Sequence, residues 1–175
     1  LPWQGLPIIV VTAQRLLAAG TGEVILVTGY QSEEIIAAVS HLPLKIVHNP
    51  LFEEGMTSSI QAGVRAAGGN GYLIGLADMV LITTEEYQLV TTAWETQYRL
   101  DDHCIGLPEY QGQKGNPVVF PHTLRNDILR HPEKEGCKAI VQRNPTHQFR
   151  IPMPTDHILH DIDRPEDYTL FTSHT

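Results

Sequence analysis

The sequence predicts an α/β protein: a three-layer, Rossmann-like sandwich with helices on both faces of a mixed, mostly parallel sheet. Three observations carry this reading. Strand and helix patterns alternate strictly through the first half of the chain, which implies right-handed βαβ crossovers. The run Gly71-Tyr72-Leu73-Ile74-Gly75-Leu76-Ala77 is apolar without alternation, as a strand buried on both faces requires. The 175 residues, 42% hydrophobic and 18% charged, suffice for one full core and are too few for two comfortable ones.

The elements follow in order. Pro7 to Ala19 sets Ile8, Ile9, Ala13, Leu16 and Leu17 at roughly helical spacing and stops at Gly20, a usual helix end. Glu23 to Gly29 is a buried strand. Ser32 is expected to cap a helix from Glu33 to about Ser40, whose early acids suit the positive end of the helix dipole. Leu44 to His48 is a short strand closed by the Asn49-Pro50 turn. Thr57 to Ala67 is helical and ends in Gly68-Gly69-Asn70-Gly71. After the apolar run a helix spans about Thr84 to Tyr98, capped by Thr83 or Thr84.

The second half is less regular. Cys104 to Leu107 and Pro117 to Phe120 read as strands around a loop, Pro108 to Asn116. Helices are expected over His122–Arg130 and Gly136–Gln142, then two short strands at Gln148–Pro152 and Ile158–Ile162. No repeat, low-complexity tract or linker interrupts the pattern, so residues 1–175 read as a single domain.

The net charge of −8 argues against a general nucleic-acid or anionic-membrane binder, because neither surface attracts an acidic protein. A small anionic ligand remains compatible, since it needs only a local amide-lined or positive pocket. Cys104 and Cys137 fit neither a disulfide framework nor a CxxC metal site and read as small apolar fillers. No apolar run approaches the roughly 20 residues that span a bilayer, and the first residues lack the basic region of a signal peptide. A cytoplasmic protein is the expectation. Leu1-Pro2-Trp3 is not an initiator sequence, so residues ahead of it are expected.

The chemistry concentrates in a few segments. Asp78 follows the apolar run, and ligands of open α/β sheets bind at the carboxyl ends of strands. A carboxylate there can hold Mg2+ against phosphate oxygens; it can equally cap the next helix. Gly55-Met56-Thr57-Ser58-Ser59 opens a helix, where free amides and two serine hydroxyls can receive a nucleotide, or where Thr and Ser serve as caps. Asp161 and Asp163 stand two apart, so an extended backbone would point both the same way. Converging with Asp78, they would chelate Mg2+. Pro165-Glu166-Asp167 looks like the first turn of a further helix. A rival metal set is His157, His160 and Asp161, although histidines three apart diverge on a strand. Gly112-Gln113-Lys114-Gly115-Asn116-Pro117 can line a polar ligand or serve as a plain connection between strands.

Taken together these segments resemble the MobA-like nucleotidyltransferase family, and within it the molybdenum-cofactor cytidylyltransferase branch. The signals run from Pro2, Trp3, Gly5 and Pro7 through Asn49-Pro50, Gly55-Met56 and Ser58-Ser59. They continue with Ala77-Asp78-Met79, Gly112 to Pro117 with Val118-Val119-Phe120, and Asp161-Ile162-Asp163 with Pro165-Glu166-Asp167. The resemblance implies the nucleotide-diphospho-sugar-transferase type of fold. It also implies a reaction: with Mg2+, the phosphate of a molybdopterin-like acceptor attacks the α-phosphorus of a nucleoside triphosphate, CTP in this branch, and releases pyrophosphate.

By the same resemblance Asp78 is the main metal ligand and Asp161 or Asp163 the second, these three forming the catalytic set. Gly55, Met56, Ser58, Ser59 and Ala77 face the nucleotide, and Gly115 and Asn116 the acceptor. A molybdoenzyme is a possible recipient of the product. Two departures stand out. The family's Gly-rich loop, with its Arg and Lys, would lie ahead of Leu1, together with a first strand. Val80 also stands where the family usually has proline. Two other readings share the fold: a nucleotidyltransferase for another phosphorylated acceptor, and a non-catalytic accessory protein that binds the molybdenum cofactor.

Overall fold

The computed structural model describes residues 2–162 other than 4 and 135. Asp163, Arg164 and the expected helix turn at Pro165-Glu166-Asp167 therefore lie outside the described residues. Strands β1 (Pro2–Trp3) and β2 (Leu6–Pro7) form a small antiparallel pair ahead of helix α1 (Ile8–Ala19). Gly20, at φ 69°, closes α1 in the left-handed conformation. Strand β3 (Ile25–Thr28), helix α2 (Ser32–Val39) and strand β4 (Lys45–His48) make a βαβ unit, with β3 and β4 parallel in the register Ile25↔Lys45 to Thr28↔His48.

Helix α3 (Met56–Ala66) leads to β5 (Gly71–Ile74), and α4 spans Thr84–Tyr98. Strands β6 (Ile105–Tyr110), β7 (Gln113–Lys114) and β8 (Val118–Pro121) follow, then α5 (Arg125–Arg130), α6 (Lys138–Arg143) and β9 (Gln148–Pro152). The larger sheet is mixed: β8 lies antiparallel between β5 and β6, while β6 pairs with β9 in parallel.

Alternation along the strands builds the three layers. Val119 and Ile151 pack with Val90 and Trp94 of α4 on one face, joined by Leu16 of α1. Tyr72, Ile105, Leu107 and Phe120 pack with Val64 of α3, Ile128 of α5 and Ile140 of α6 on the other. Each buried aliphatic or aromatic side chain of this kind contributes about 1.5–3 kcal/mol relative to exposure. Trp94 fixes the spacing of α4 over the sheet. Its indole donates to the Cys104 carbonyl at 2.9 Å, and a Cβ on Gly71 or Gly106 would approach its ring to 2.3 or 2.9 Å.

Several boundaries differ from the sequence reading, each for a local reason. Strand β5 stops at Ile74 instead of Ala77: Ile74 pairs with Val118, and the next partner, Pro117, has no N–H to extend the ladder. Helix α2 is not capped by Ser32, whose hydroxyl lies 3.0 Å from that of Thr28; Gln31, at φ 50°, is the cap residue. The stretch Pro108 to Asn116 is largely a hairpin turning at Gln111 and Gly112, both with positive φ, as tight hairpins prefer. The helix expected over His122–Arg130 opens as a 3-10 turn, His122–Leu124, before α5.

The expected strand Ile158–Ile162 does not form. His157–Leu159 is a 3-10 turn instead. His160, at φ −117° and ψ 122°, returns the backbone to an extended conformation after that turn, and Asp163, which Asp161 was expected to accompany, lies outside the described residues.

A cavity of about 890 Å3 separates β3 from β5. Among the described residues β3 pairs only with β4, and β5 only with β8, so the strand edges facing the cavity are unpaired. Its walls include Val27, Leu73 and Trp94, and Thr12, whose buried hydroxyl has no hydrogen-bond partner among the described residues. No described helix is long and apolar enough to cross a membrane.

Candidate active site

Asp78 occupies a turn between β5 and α4 rather than the last position of a strand. Met79 N donates to the Leu76 carbonyl at 3.5 Å and Val80 N to the Asp78 carbonyl at 2.9 Å. The turn is braced from α1, where the Arg15 guanidinium donates to the carbonyls of Val80 and Ile82. Asp78 is half-buried, with its Oδ1 shielded from solvent. Ile162 N donates to the Asp78 carbonyl at 3.3 Å, so the segment Asp161-Ile162 lies directly beside Asp78. Ile162 is buried and Asp161 exposed.

Three of the five residues expected to face the nucleotide line the cavity, and Gly55 and Ser58 do not. Met56, Ser59 and Ala77 all line it. Gly55 stands before α3 at φ 110° and ψ −178°, a conformation nearly restricted to glycine. A Cβ there would also lie 3.0 Å from the Lys134 carbonyl. The segment around Lys134 occupies part of the α3 N-terminus: Thr57 N donates to the Lys134 carbonyl at 3.4 Å, and the Thr57 hydroxyl donates to the Glu133 carbonyl.

The two serines divide their work. Ser58 serves the local turn, its hydroxyl lying 2.8 Å from the Leu51 carbonyl and 2.9 Å from the Gly55 carbonyl. Ser59 accepts from Asn49 Nδ2 at 3.1 Å, which leaves its own proton available toward the cavity. Asn49 is the hub. It is 3% exposed, donates to Ser58 as well at 2.8 Å, and accepts from Leu51 N at 3.0 Å. Sequence reasoning singled out the Asn49-Pro50 turn but missed the role of Asn49 as orienter of the serines. The signal available was a side-chain amide directly after a strand, in an Asx-type turn.

On the other flank, Gly115 and Asn116 rest on the 3-10 turn His157–Leu159. Asn116 N donates to the Ile158 carbonyl at 3.0 Å, and Gly115 N donates to the Pro108 carbonyl at 3.0 Å. A Cβ on Gly115 would lie 2.2 Å from the Ile158 carbonyl oxygen, so only glycine permits this contact. The same turn that leads to Asp161 therefore supports the Gly115–Asn116 loop.

The rival histidine set does not assemble. His157 Nδ1 pairs with Glu86 at 2.9 Å, and His160 Nε2 pairs with Asp156 at 3.0 Å. Among the described residues no group of three or more His, Cys, Asp or Glu stands in metal-holding geometry. The carboxylate expected as a further metal ligand, Asp163, lies outside them. Half-buried Asp78 beside Asp161 still provides oxygen donors of the hard type that Mg2+ prefers.

The cysteines are inert by comparison. Burial, with a smaller contribution from the Asp101 charge, pushes the Cys104 thiol up to about 11, and burial alone pushes Cys137 to about 12.

Comparison with known proteins places the fold in a family. The family described as "MobA-like NTP transferase domain" matches residues 1–148. The molybdenum cofactor cytidylyltransferase of Escherichia coli (strain K12) is 23% identical over 169 residues, covering 96% of this chain and 83% of that protein. A nucleotidyl transferase from Methanothermobacter thermautotrophicus superimposes with a TM-score of 0.84 at 22% identity, over 99% of this chain and 82% of the other. Rv0371c of Mycobacterium tuberculosis H37Rv, solved as a complex with manganese, gives 0.77 at 16% identity, over 100% and 90%.

Proposed function

Because this chain belongs to the MobA-like NTP transferase family and is a nucleotidyltransferase, we propose that it transfers CMP from CTP to molybdopterin in the cytoplasm, with Mg2+ and release of pyrophosphate. The observation that carries the reading is the hydrogen bond from Ile162 N to the Asp78 carbonyl. It joins two acid-bearing segments beside the cavity end formed by Met56, Ser59 and Ala77. The similarity to a cytidylyltransferase of the molybdenum cofactor supports the choice of CTP and of a pterin acceptor. A manganese complex of a structural neighbour supports a hard divalent cation.

In this reading Asp78 holds the cation together with Asp161 or Asp163. Bound there, Mg2+ would neutralise charge on the phosphate oxygens as the acceptor phosphate oxygen bonds to the α-phosphorus and pyrophosphate leaves. The chain's own groups orient the partners. Ser59, held by Asn49, donates to the nucleotide, and the Gly115–Asn116 backbone flanks the acceptor. The product would then pass to a molybdoenzyme.

Incubating the protein with Mg2+, molybdopterin and each of CTP, GTP and ATP tests the proposal. It predicts pyrophosphate and a pterin cytosine dinucleotide from CTP. Equal turnover with a different phosphorylated acceptor and none with molybdopterin would overturn the acceptor assignment.

A further inference from the structure

Glu86 is 4% exposed, yet its carboxylate reaches three partners on two segments distant in sequence. Oε2 accepts from Thr83 N at 2.8 Å, and Thr83 Oγ1 accepts in return from Glu86 N at 3.2 Å, which makes the capping box of α4. A capping box needs only one side-chain oxygen. Here Oε2 also accepts from His157 Nδ1 at 2.9 Å, and Oε1 accepts from the Thr155 hydroxyl. His157 N closes the group by donating to Thr155 Oγ1 at 3.3 Å.

The two segments joined in this way are the two halves of the site. Toward its N-terminus, the α4 cap continues into the Asp78–Val80 turn. On the other side, Thr155 and His157 open the 3-10 turn whose Ile158 carbonyl receives Asn116 N and whose continuation donates Ile162 N to Asp78. That turn replaces the strand expected from the sequence, and Glu86 supplies a reason: its two bonds draw residues 155–157 inward onto the α4 N-terminus. A hydrogen bond to a charged group contributes more than one between neutral groups, and burial strengthens it further.

We propose that Glu86 and His157 are positioning residues: their bond sets Asp161 and the Gly115–Asn116 loop at a fixed distance from Asp78. The proposal rests on the nucleotidyltransferase reading of the site. Neither residue touches substrate; both act through Ile158 and Ile162. Their effect falls on the alignment of acceptor and cation and leaves the Ser59–Asn49 end of the nucleotide site untouched.

Three variants test it: His157→Ala, His157→Asn, which keeps an N–H donor near the Nδ1 position, and Glu86→Gln, which keeps the cap oxygen. The His157 side chain is 31% exposed, so its replacement spares the core. Amide hydrogen exchange of the ligand-free protein reads the position directly. Exchange at Asn116 and Ile162 should rise in His157→Ala and in Glu86→Gln and return toward wild type in His157→Asn, with the Thr83 and Glu86 amides of the cap unchanged. In turnover, kcat should fall by about tenfold to a hundredfold, as a misplacement of about 1 Å costs ~10²-fold, while KM for the nucleotide stays within about twofold. Unchanged exchange at Asn116 and Ile162 in His157→Ala overturns the proposal whatever the activity. Raised exchange with unaltered kcat overturns the positioning role. Raised exchange in His157→Ala, with a wild type that itself carries out no nucleotidyl transfer, would leave the clamp standing and remove the functional reading instead.

Discussion

The backbone amide of Ile162 meets the carbonyl of Asp78 at 3.3 Å, joining residues far apart in sequence at one corner of the sheet. Through it, the segment that carries Asp161 lies against the Asp78 turn, and the proposed site uses both acids. Asp78→Ala should therefore remove metal-dependent turnover while leaving the fold intact, since Asp78 is only half-buried. The expected loss in kcat is on the order of 10²–10³-fold, typical of removing one group that stabilises transition-state charge. Steady-state kinetics beside a thermal melt checks both halves of this statement.

Asn49 and Ser59 separate stability from binding. Asn49→Ala strips the partners of Ser58, Ser59 and Leu51 N in a site 3% exposed. It should cost about 1–3 kcal/mol, the penalty for leaving buried polar groups unpaired. Ser59→Ala loses one hydroxyl and should mainly raise the nucleotide KM, by roughly threefold to tenfold for a bond worth about 0.5–1.5 kcal/mol. Urea unfolding and nucleotide titration of the two variants distinguish these effects.

Gly115→Ala places a methyl 2.2 Å from the Ile158 carbonyl oxygen. Backbone must move on one side, so a destabilisation of about 1–3 kcal/mol is expected from overpacking. The loss of turnover should exceed that seen for a change of similar cost in the core if, as proposed, the displaced loop flanks the acceptor. Comparison with Ile140→Val, at a buried core position of α6 outside the Gly115–Ile158 contact, provides the control.

Acid should loosen the clamp. Burial pushes the Glu86 carboxyl up, but the bonds from Thr155, Thr83 N and His157, with the His157 charge, outweigh it and leave its pKa below the ordinary value. A carboxyl lowered on folding contributes stability fully present above its unfolded pKa, about 4.3 for Glu, and lost as pH falls through the folded value. Unfolding free energy should thus hold at pH 5–7 and decline below about pH 4.3, and Glu86→Gln should flatten part of that decline. Asp101 and Asp156 are lowered too, first through hydrogen bonds from His147 and His160, so some decline persists in the variant.

The thiols of Cys104 and Cys137, raised by burial to about 11 and about 12, should react with a disulfide reagent at pH 8 far more slowly than a free cysteine. Unfolding should restore the rate. Fast labelling in the native protein would mean that these side chains are not the apolar fillers their surroundings indicate.

Legibility in the sequence followed the range of the forces involved. Helix α4 was readable closely, its cap narrowed to Thr83 or Thr84, and the structure selects Thr83, which forms a locally encoded capping box with Glu86. The βαβ unit was readable from apolar pattern and turn residues. The end of β5 was not, because it depends on Pro117, just ahead of β8 and more than forty residues away. The turn at His157–Leu159 was misread as a strand because Glu86, Asp78 and Asn116 determine its shape from outside.

The same division holds at the site. Asp78, Asp161, Ser59 and the Gly115–Asn116 loop were candidates by residue type and family resemblance, and the structure sets Ile162, next to Asp161, against Asp78 and Asn116 against Ile158. The different tasks of Ser58 and Ser59 could not be read, since adjacent identical residues carry no mark of which one Asn49 and the Leu51 carbonyl will engage. Val80, the departure from the family pattern, is fully buried against Trp3, Ile8 and Ile162. Packing explains an apolar residue there.

The most direct measurement is a calorimetric titration of CTP into the wild type and into Asp78→Ala, each with and without Mg2+. The account predicts binding by the wild type that depends on Mg2+ and disappears in the variant. Equal CTP binding in all four titrations would contradict it, because Asp78 would then hold no part of the metal–nucleotide site.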